Sequence, residues 1–314
     1  MKYTIDLEYR ELLRHVLKTG KLSPDPNRQD VYRQNIPYYQ LNVPIDTVPA
    51  ISIKKIFPQA AMKELSMFMR GETDIRNYWA AGINFWTQDW FKWKGHKTGV
   101  PIEEIKDRQS EIKDESLFDM GKIYPYQYRQ FQGSFDQMAD MLRKMIERPM
   151  DSSILVNIWN PAERKEMCLA PCHYGINVNM EKIQYGSRTG YGFHLSFTLR
   201  SSDLFLGLPI NIMYYFYLAK ILERVTGHKL LSLTGHLNNV HLYDNAIDSA
   251  RDVVLNKPKH VHPLKNLEFD PYLDEPIKEL EDYGKFFDSL PLNAVKLTDY
   301  QSYRHYKVPM LPYS

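Results

Sequence analysis

The sequence predicts an α+β fold: one domain with a central mixed or antiparallel sheet packed by helices. Three observations carry this. Residues 154–159 (ILVNIW), 174–180 and 192–200 (with FHLSFTL) are β-branched or alternating runs and read as strands, the first as a buried one. Residues 212–225 are apolar almost all round, which marks a helix buried on most sides. Strands and helices mix without the regular strand–helix alternation of a parallel α/β sheet. In order along the chain, residues 9–17 have helical apolar spacing and stop before Gly20. Residues 22–49, rich in Pro, Asn, Asp and Tyr, read as loop with short extended pieces. Residues 59–69 (QAAMKELSMFM) form a strong helix closed by Gly71, and 133–147 a second with Pro149 beyond its end. Residues 92–119 are mostly polar and charged, as in a surface insertion. Residues 241–256 suggest another helix, and the tail from 258 is extended or loop. There is no internal repeat and no convincing linker, so the expectation is one domain over 1–314.

Composition narrows the function. Of the 314 residues 43% are hydrophobic and 25% charged, and there is no apolar run of 18 or more, so no membrane span is expected. Charges run through the first residues where a secretory signal would be apolar, which points to a cytoplasmic protein. A net charge of +2 argues against a DNA-binding role. The 22 Tyr, 14 Phe and 5 Trp belong in a core or a pocket rather than on a base-stacking platform, since no basic stripe accompanies them. Two cysteines do not make a disulfide framework.

One of those cysteines, Cys172, stands in a Pro-Cys-His step with His173. A thiolate is a strong nucleophile when nearby positive charge or hydrogen bonding lets it form near pH 7. Five blocks surround it in order, the second in two pieces: KELSMFMRGETDI from Lys63; INFWTQDW and GKIYPYQYR from Ile83 and Gly121; WNPAERKEMCLAPCH ending at His173; LRSSDLFLGLPIN from Leu199; and NNVHLY from Asn238. Together they resemble the thymidylate synthase family, and the resemblance covers most of the chain. It implies folate-dependent transfer of a one-carbon unit to C5 of a pyrimidine nucleoside monophosphate, with dUMP methylation to dTMP ahead of 5-hydroxymethylation of dUMP, dCMP or CMP. A more distant alternative is a retired enzyme kept as a nucleotide- or RNA-binding protein.

The resemblance also implies roles. Cys172 adds to C6 of the base. Glu64 moves protons at the pyrimidine, with Tyr124 and His173 in the same polar network. Arg200 activates the thiol and binds phosphate, with Ser201 beside it. Arg28 is the nearest match to the family's N-terminal phosphate loop. Asn211 reads the base edge, and the family's cytosine-specific hydroxymethylases have aspartate there. His241 and Tyr243 bond the sugar. Asp203, Gly207, Lys54 and Trp86 contact the co-substrate, 5,10-methylenetetrahydrofolate, and no metal is implied. Each residue also has an ordinary reading: Glu64 as a solvated helix carboxylate, Asn211 as an N-cap to the apolar helix, Asp203 as a turn residue, Trp86 as packing, and His241 and Tyr243 as the start of a helix.

The chain departs from the family pattern in places. The family pairs as homodimers, and the partner donates two arginines to the phosphate from an Asp-Ser-Arg-Arg stretch. Here the stretch is Asp151-Ser152-Ser153-Ile154, and losing two charge-assisted contacts costs about 3–6 kcal/mol unless they are replaced. Arg143, Lys144 and Arg148 lie just upstream as candidate substitutes, and Arg33 stands near Arg28. Leu199 replaces the glutamine before the signature arginine, and the closing HYKVPMLPYS is only loosely family-like.

Overall fold

A threonine starts the first helix: Thr4 Oγ1 accepts the Leu7 N–H, and α1 (Ile5–Thr19) buries Ile5, Tyr9, Leu12, Leu13 and Val16 along one stripe. The computed structural model describes residues 4–186, 188–256, 266–277 and 282–311. β1 (Lys21–Pro24) and β2 (Tyr32–Val43) follow. The 22–49 stretch therefore holds a 12-residue strand rather than short extended pieces. The signal is weak because only Ile36, Leu41 and Val43 of β2 are buried, and Pro37 sits at the one break in its pairing.

α2 (Pro58–Met69) begins on a proline and stops before Gly71, whose φ of +75° suits glycine. Three short helices come next, α3 (Ile75–Ala80), α4 (Thr87–Trp93) and α5 (Ile102–Asp107). The polar segment 92–119 is tied down from within: Ile105 and Phe118 are fully buried, and the Trp90 indole donates to the Leu117 carbonyl at 2.8 Å. α6 (Tyr124–Arg129) precedes α7 (Gln137–Glu147), which starts four residues later than its pattern suggests because Asp136 caps it through the Ala139 N–H.

The remaining strands build the sheet. β3 (Leu155–Asn157), β4 (His173–Tyr185), β5 (Arg188–Leu199) and the two-residue β6 (Ser202–Asp203) lead into α8 (Gly207–Thr226), β7 (Lys229–Tyr243) and α9 (Asp244–Leu255). The ILVNIW run is an edge strand buried on one face: residues 155–157 pair at the sheet edge, Ile154, Val156 and Ile158 are buried, and Leu155 is half exposed. The strand order is β1-β2-β7-β5-β4-β3, with β6 also beside β7. All pairs are antiparallel except β5–β7 and β6–β7. The sheet is thus mixed, and α8 is the crossover that makes β5 and β7 parallel. β8 (Asn266–Phe269) and β9 (Val295–Thr298) form a separate pair, with α10 (Asp282–Asp288) between them in sequence.

α8 is buried on almost every side, and one continuous core joins it to the sheet, α1 and α2. The largest correction concerns β7. Residues 241–243 close this central strand, and the helix starts only at Asp244. Gly235 in β7 leaves room for the Phe197 ring on the neighbouring strand, and Asn239 takes a φ of +43°. Both interrupt the alternation that would otherwise mark a strand.

Candidate active site

The end of β5, the start of β4, the end of β7 and the first turn of α8 meet at one cleft of about 380 Å³. Cys172 immediately precedes β4 and Arg200 immediately follows β5. His173 pairs with Leu199 across the ladder, so the thiol and the guanidinium are set side by side by sheet register. The Arg200 N–H donates to the Cys172 carbonyl at 2.9 Å. The Arg200 guanidinium donates to the Pro171 and Ala170 carbonyls at 2.6 and 2.9 Å and lies over the Trp159 ring. This arginine therefore holds the loop that carries Cys172 as well as charging its surroundings. Burial raises the Cys172 thiol above its ordinary range, while Arg200 and Arg28 pull it back down. The Cys172 N–H donates to the Tyr124 hydroxyl at 2.5 Å.

Next to the thiol in the chain lies an uncharged hydrogen-bonded group. His173 is buried, and desolvation lowers its pKa to about 4, so the ring is neutral. Its Nε2 lies 3.2 Å from Asn211 Oδ1 and its Nδ1 2.7 Å from the Tyr215 hydroxyl. An amide oxygen only accepts, so Nε2 carries the proton and Tyr215 donates to Nδ1. Asn211 is not the N-cap of α8: the helix starts at Gly207, which places Asn211 one turn inside it, facing the cleft.

Glu64 is likewise not a solvated carboxylate. It sits on α2 in the cleft wall, accepts from the Trp86 indole N–H at 2.8 Å, and is raised by burial to about 7. Trp86 is thus committed to Glu64, and its ring meets Phe68 and Tyr124 edge-on.

The far end of the cleft is polar. Asp203 Oδ1 accepts from the Phe205 and Leu206 N–H groups, which seats the turn into α8. Gly207 lies against the Asp203 side chain. His241, 2% exposed, has Nδ1 2.7 Å from the Asn239 carbonyl, and its buried Nε2 has no hydrogen-bond partner. Tyr243 accepts from Arg28 at 2.8 Å, and the Arg28 Nε reaches the Leu311 carbonyl at 3.0 Å. Ser201 accepts from the Asn239 amide at 3.0 Å. Residues 308–311 also line the cleft, and Asn245 holds them through the Pro309 carbonyl.

Two comparisons with known proteins agree. The thymidylate synthase family model matches residues 7–312. The chain belongs to the thymidylate synthase family. Among curated thymidylate synthases, that of Phytoplasma mali is 27% identical over 307 residues, covering 94% of this chain and 96% of that protein. That of Saccharomyces cerevisiae is 25% identical (94% and 91%), and that of Mycoplasma pneumoniae 28% (80% and 86%). The family is one of methyltransferases that generally use methylenetetrahydrofolate as co-substrate.

Against the family's pattern, the structure gathers every expected residue at the cleft except Lys54. Lys54 is buried, donates to the Phe205 carbonyl at 2.7 Å, lies over that ring, and has its pKa lowered to about 8 by desolvation. It supports the turn before α8 from behind. Arg143, Lys144 and Arg148 do not line the cleft; they pair with Asp140, Asp140 and Asp151 near their own helix. Sequence reading missed Asp25, Asn239 and Asn245, whose only local signal is their membership of the Asx-rich stretches 25–30 and 238–245. Phe85, Leu206 and Ile210 add apolar surface to the cleft that Asp203 also lines. Among the described residues no helix is long and apolar enough to cross a membrane.

Proposed function

We propose that the protein methylates dUMP to dTMP through an adduct between Cys172 and C6 of the base. The observation that carries the choice of uracil is the His173–Asn211 contact. With Asn211 Oδ1 facing the His173 proton, the Asn211 NH₂ donates toward the base, which suits the C4 carbonyl of uracil and opposes the C4 amino group of cytosine. Arg200 and Arg28 favour the thiolate that adds at C6. Addition places negative charge on the C4 oxygen, where the Asn211 amide donates. Glu64, held near neutrality, gives a proton at that carbonyl and takes the proton leaving C5. His241 Nε2 accepts from the sugar hydroxyl, which answers its unpaired lone pair. When bound, methylenetetrahydrofolate supplies the one-carbon unit and the hydride that completes the methyl group. We place the enzyme in the cytoplasm as a homodimer; Tyr38, Leu155 and Tyr174, exposed on sheet strands, supply apolar area for pairing.

The test is incubation with methylenetetrahydrofolate and each of dUMP, dCMP, UMP and CMP, monitoring dihydrofolate and the nucleotide product. Dihydrofolate appearing with dTMP from dUMP supports the reading. A 5-hydroxymethyl nucleotide without dihydrofolate overturns it in favour of hydroxymethylation. Cys172→Ala retaining turnover rules out the adduct.

A further inference from the structure

Asn211 and Tyr215 stand one turn apart on α8, so they share a helix face and hold the His173 ring by its two nitrogens. The hold is rigid. Tyr215 is fully buried and its ring stacks on Phe197 of β5, with centroids 4.0 Å apart and planes 9° from parallel. Two further tyrosines close the space around it. Tyr214 packs edge-on against both His173 and Tyr215, at 5.2 and 5.1 Å, and Tyr128 of α6 packs with Tyr214 on the ring of Phe68. The three hydroxyls are near enough to act on one another. Among the described residues, however, those of Tyr128 and Tyr214 are buried without a hydrogen-bond partner. Glu64 acts on both through space, yet the hydrogen bond it accepts comes from Trp86.

This arrangement fixes a direction. The contact between His173 and Asn211 alone can be satisfied in two ways: Nε2–H donates to the amide oxygen, or the amide NH₂ donates to a bare Nε2. The second way moves the ring proton to Nδ1, so Tyr215 has to accept it and donate its own hydrogen outward. That hydrogen passes at most to Tyr128 or Tyr214, and the last hydroxyl in the line is left with a buried hydrogen and no acceptor. In the first way every hydrogen points inward, toward His173, and the outer tyrosines keep only unused lone pairs. An oxygen with two lone pairs tolerates that better than a buried donor tolerates having no acceptor.

We infer that Tyr215 sets base specificity from behind the cleft: backed by the closed group of Tyr128 and Tyr214, its hydroxyl locks His173 as the Nε2–H tautomer and so keeps the Asn211 amide donating to the base. Tyr215 does not line the cleft. It is a positioning residue that acts through His173. The inference rests on the proposed reading of a uracil nucleotide by Asn211, and it adds what holds that amide in the orientation uracil needs.

The test uses the full chain with ¹⁵N-labelled histidine, together with its Tyr215→Phe and Tyr128→Phe variants, each checked for folding by urea unfolding. The ¹⁵N shifts of the His173 ring, assigned by their loss in His173→Gln, show which nitrogen carries the proton with no nucleotide present. The wild type is expected to show the Nε2–H tautomer alone. Tyr215→Phe removes the hydroxyl that donates to Nδ1, so both tautomers should appear, and the preference for dUMP over dCMP in equilibrium binding should fall by about 10- to 100-fold. Tyr128→Phe shortens the closed group without giving it an acceptor, so tautomer and preference should stay as in the wild type. An Nδ1–H ring in the wild type overturns the inference, and this measurement stands even if Tyr215→Phe does not fold. A Tyr215→Phe protein that keeps the single tautomer, or that weakens dUMP and dCMP equally, overturns it as well. If neither nucleotide binds, the uracil reading fails while the ring shifts still decide what Tyr215 does.

Discussion

Replacing Glu64 by Gln tests the acid–base assignment through two independent readouts. Gln keeps the shape and still accepts the Trp86 N–H at Oε1, so packing is preserved while titration is removed. Burial holds this carboxyl at about 7 rather than 4.5, a difference of roughly 3 kcal/mol against the ionised folded form. The sign follows from which state binds the proton. Between pH 4.5 and 7 the unfolded chain has released it and the folded chain has not, so the stability that the protonated group contributes is lost as pH rises through that window. Wild-type stability measured by urea unfolding should therefore carry a downward term from pH 4.5 to 7 that Glu64→Gln lacks, which leaves the variant more stable at pH 8. Turnover should move the other way: kcat falls about 10²–10⁴-fold, and the inflection near pH 7 disappears from the pH–rate profile. A variant that retains both that inflection and most of its rate would refute the role given to Glu64. An unchanged stability slope would refute its burial.

Three further outcomes are expected. Trp86→Phe removes the hydrogen bond that lowers the Glu64 pKa, so the inflection in the pH–rate profile should shift upward, not downward. Asn211→Asp replaces a donor with an acceptor-only group, so kcat/KM for dUMP should fall at least about 10- to 100-fold while that for dCMP rises, as read in paired steady-state assays. Gly121→Ala should cost about 2–4 kcal/mol in denaturant unfolding, because Gly121 has a φ of +80° and a Cβ there would run into the Glu166 carbonyl, which accepts the Lys122 N–H.

What was legible in the sequence and what was not divides along a physical line. Cys172, His173, Arg200, Asp203 and Asn211 lie within 40 residues of one another in short motifs, and the structure brings them to one cleft. Their environments were not legible. The ordinary reading of Glu64 is a solvated helix carboxylate, because nothing local shows that α2 turns that face toward Trp86 and Tyr124. β7 escaped notice because Gly235, Asn238 and Asn239 break its alternation, and each is there for a tertiary reason. Gly235 makes way for Phe197, and the two asparagine amides bond Leu199 and Ser201. Nor does anything local mark Lys54 as buried: the structure turns its ammonium inward to the Phe205 carbonyl. The Asp25–Arg33 ion pair has no local pattern, since it reaches the cleft through a strand pairing far along the chain.

That pairing has a consequence for how the molecule is made. The Tyr32 N–H bonds the carboxylate of Asp244, 212 residues later. At about 5–20 residues per second during synthesis, β2 leaves the ribosome roughly 10–40 s before β7 exists to receive it. Through that interval the strand has an unpaired edge and exposes Ile36, Leu41 and Val43, which the finished fold buries. Arg28 and Arg33 wait with it, so the cleft is completed only near the end of translation. A nascent chain stalled before residue 229 would have Cys172 and Glu64, but no strand to bring His241 and Tyr243 up to Arg28 and Arg33.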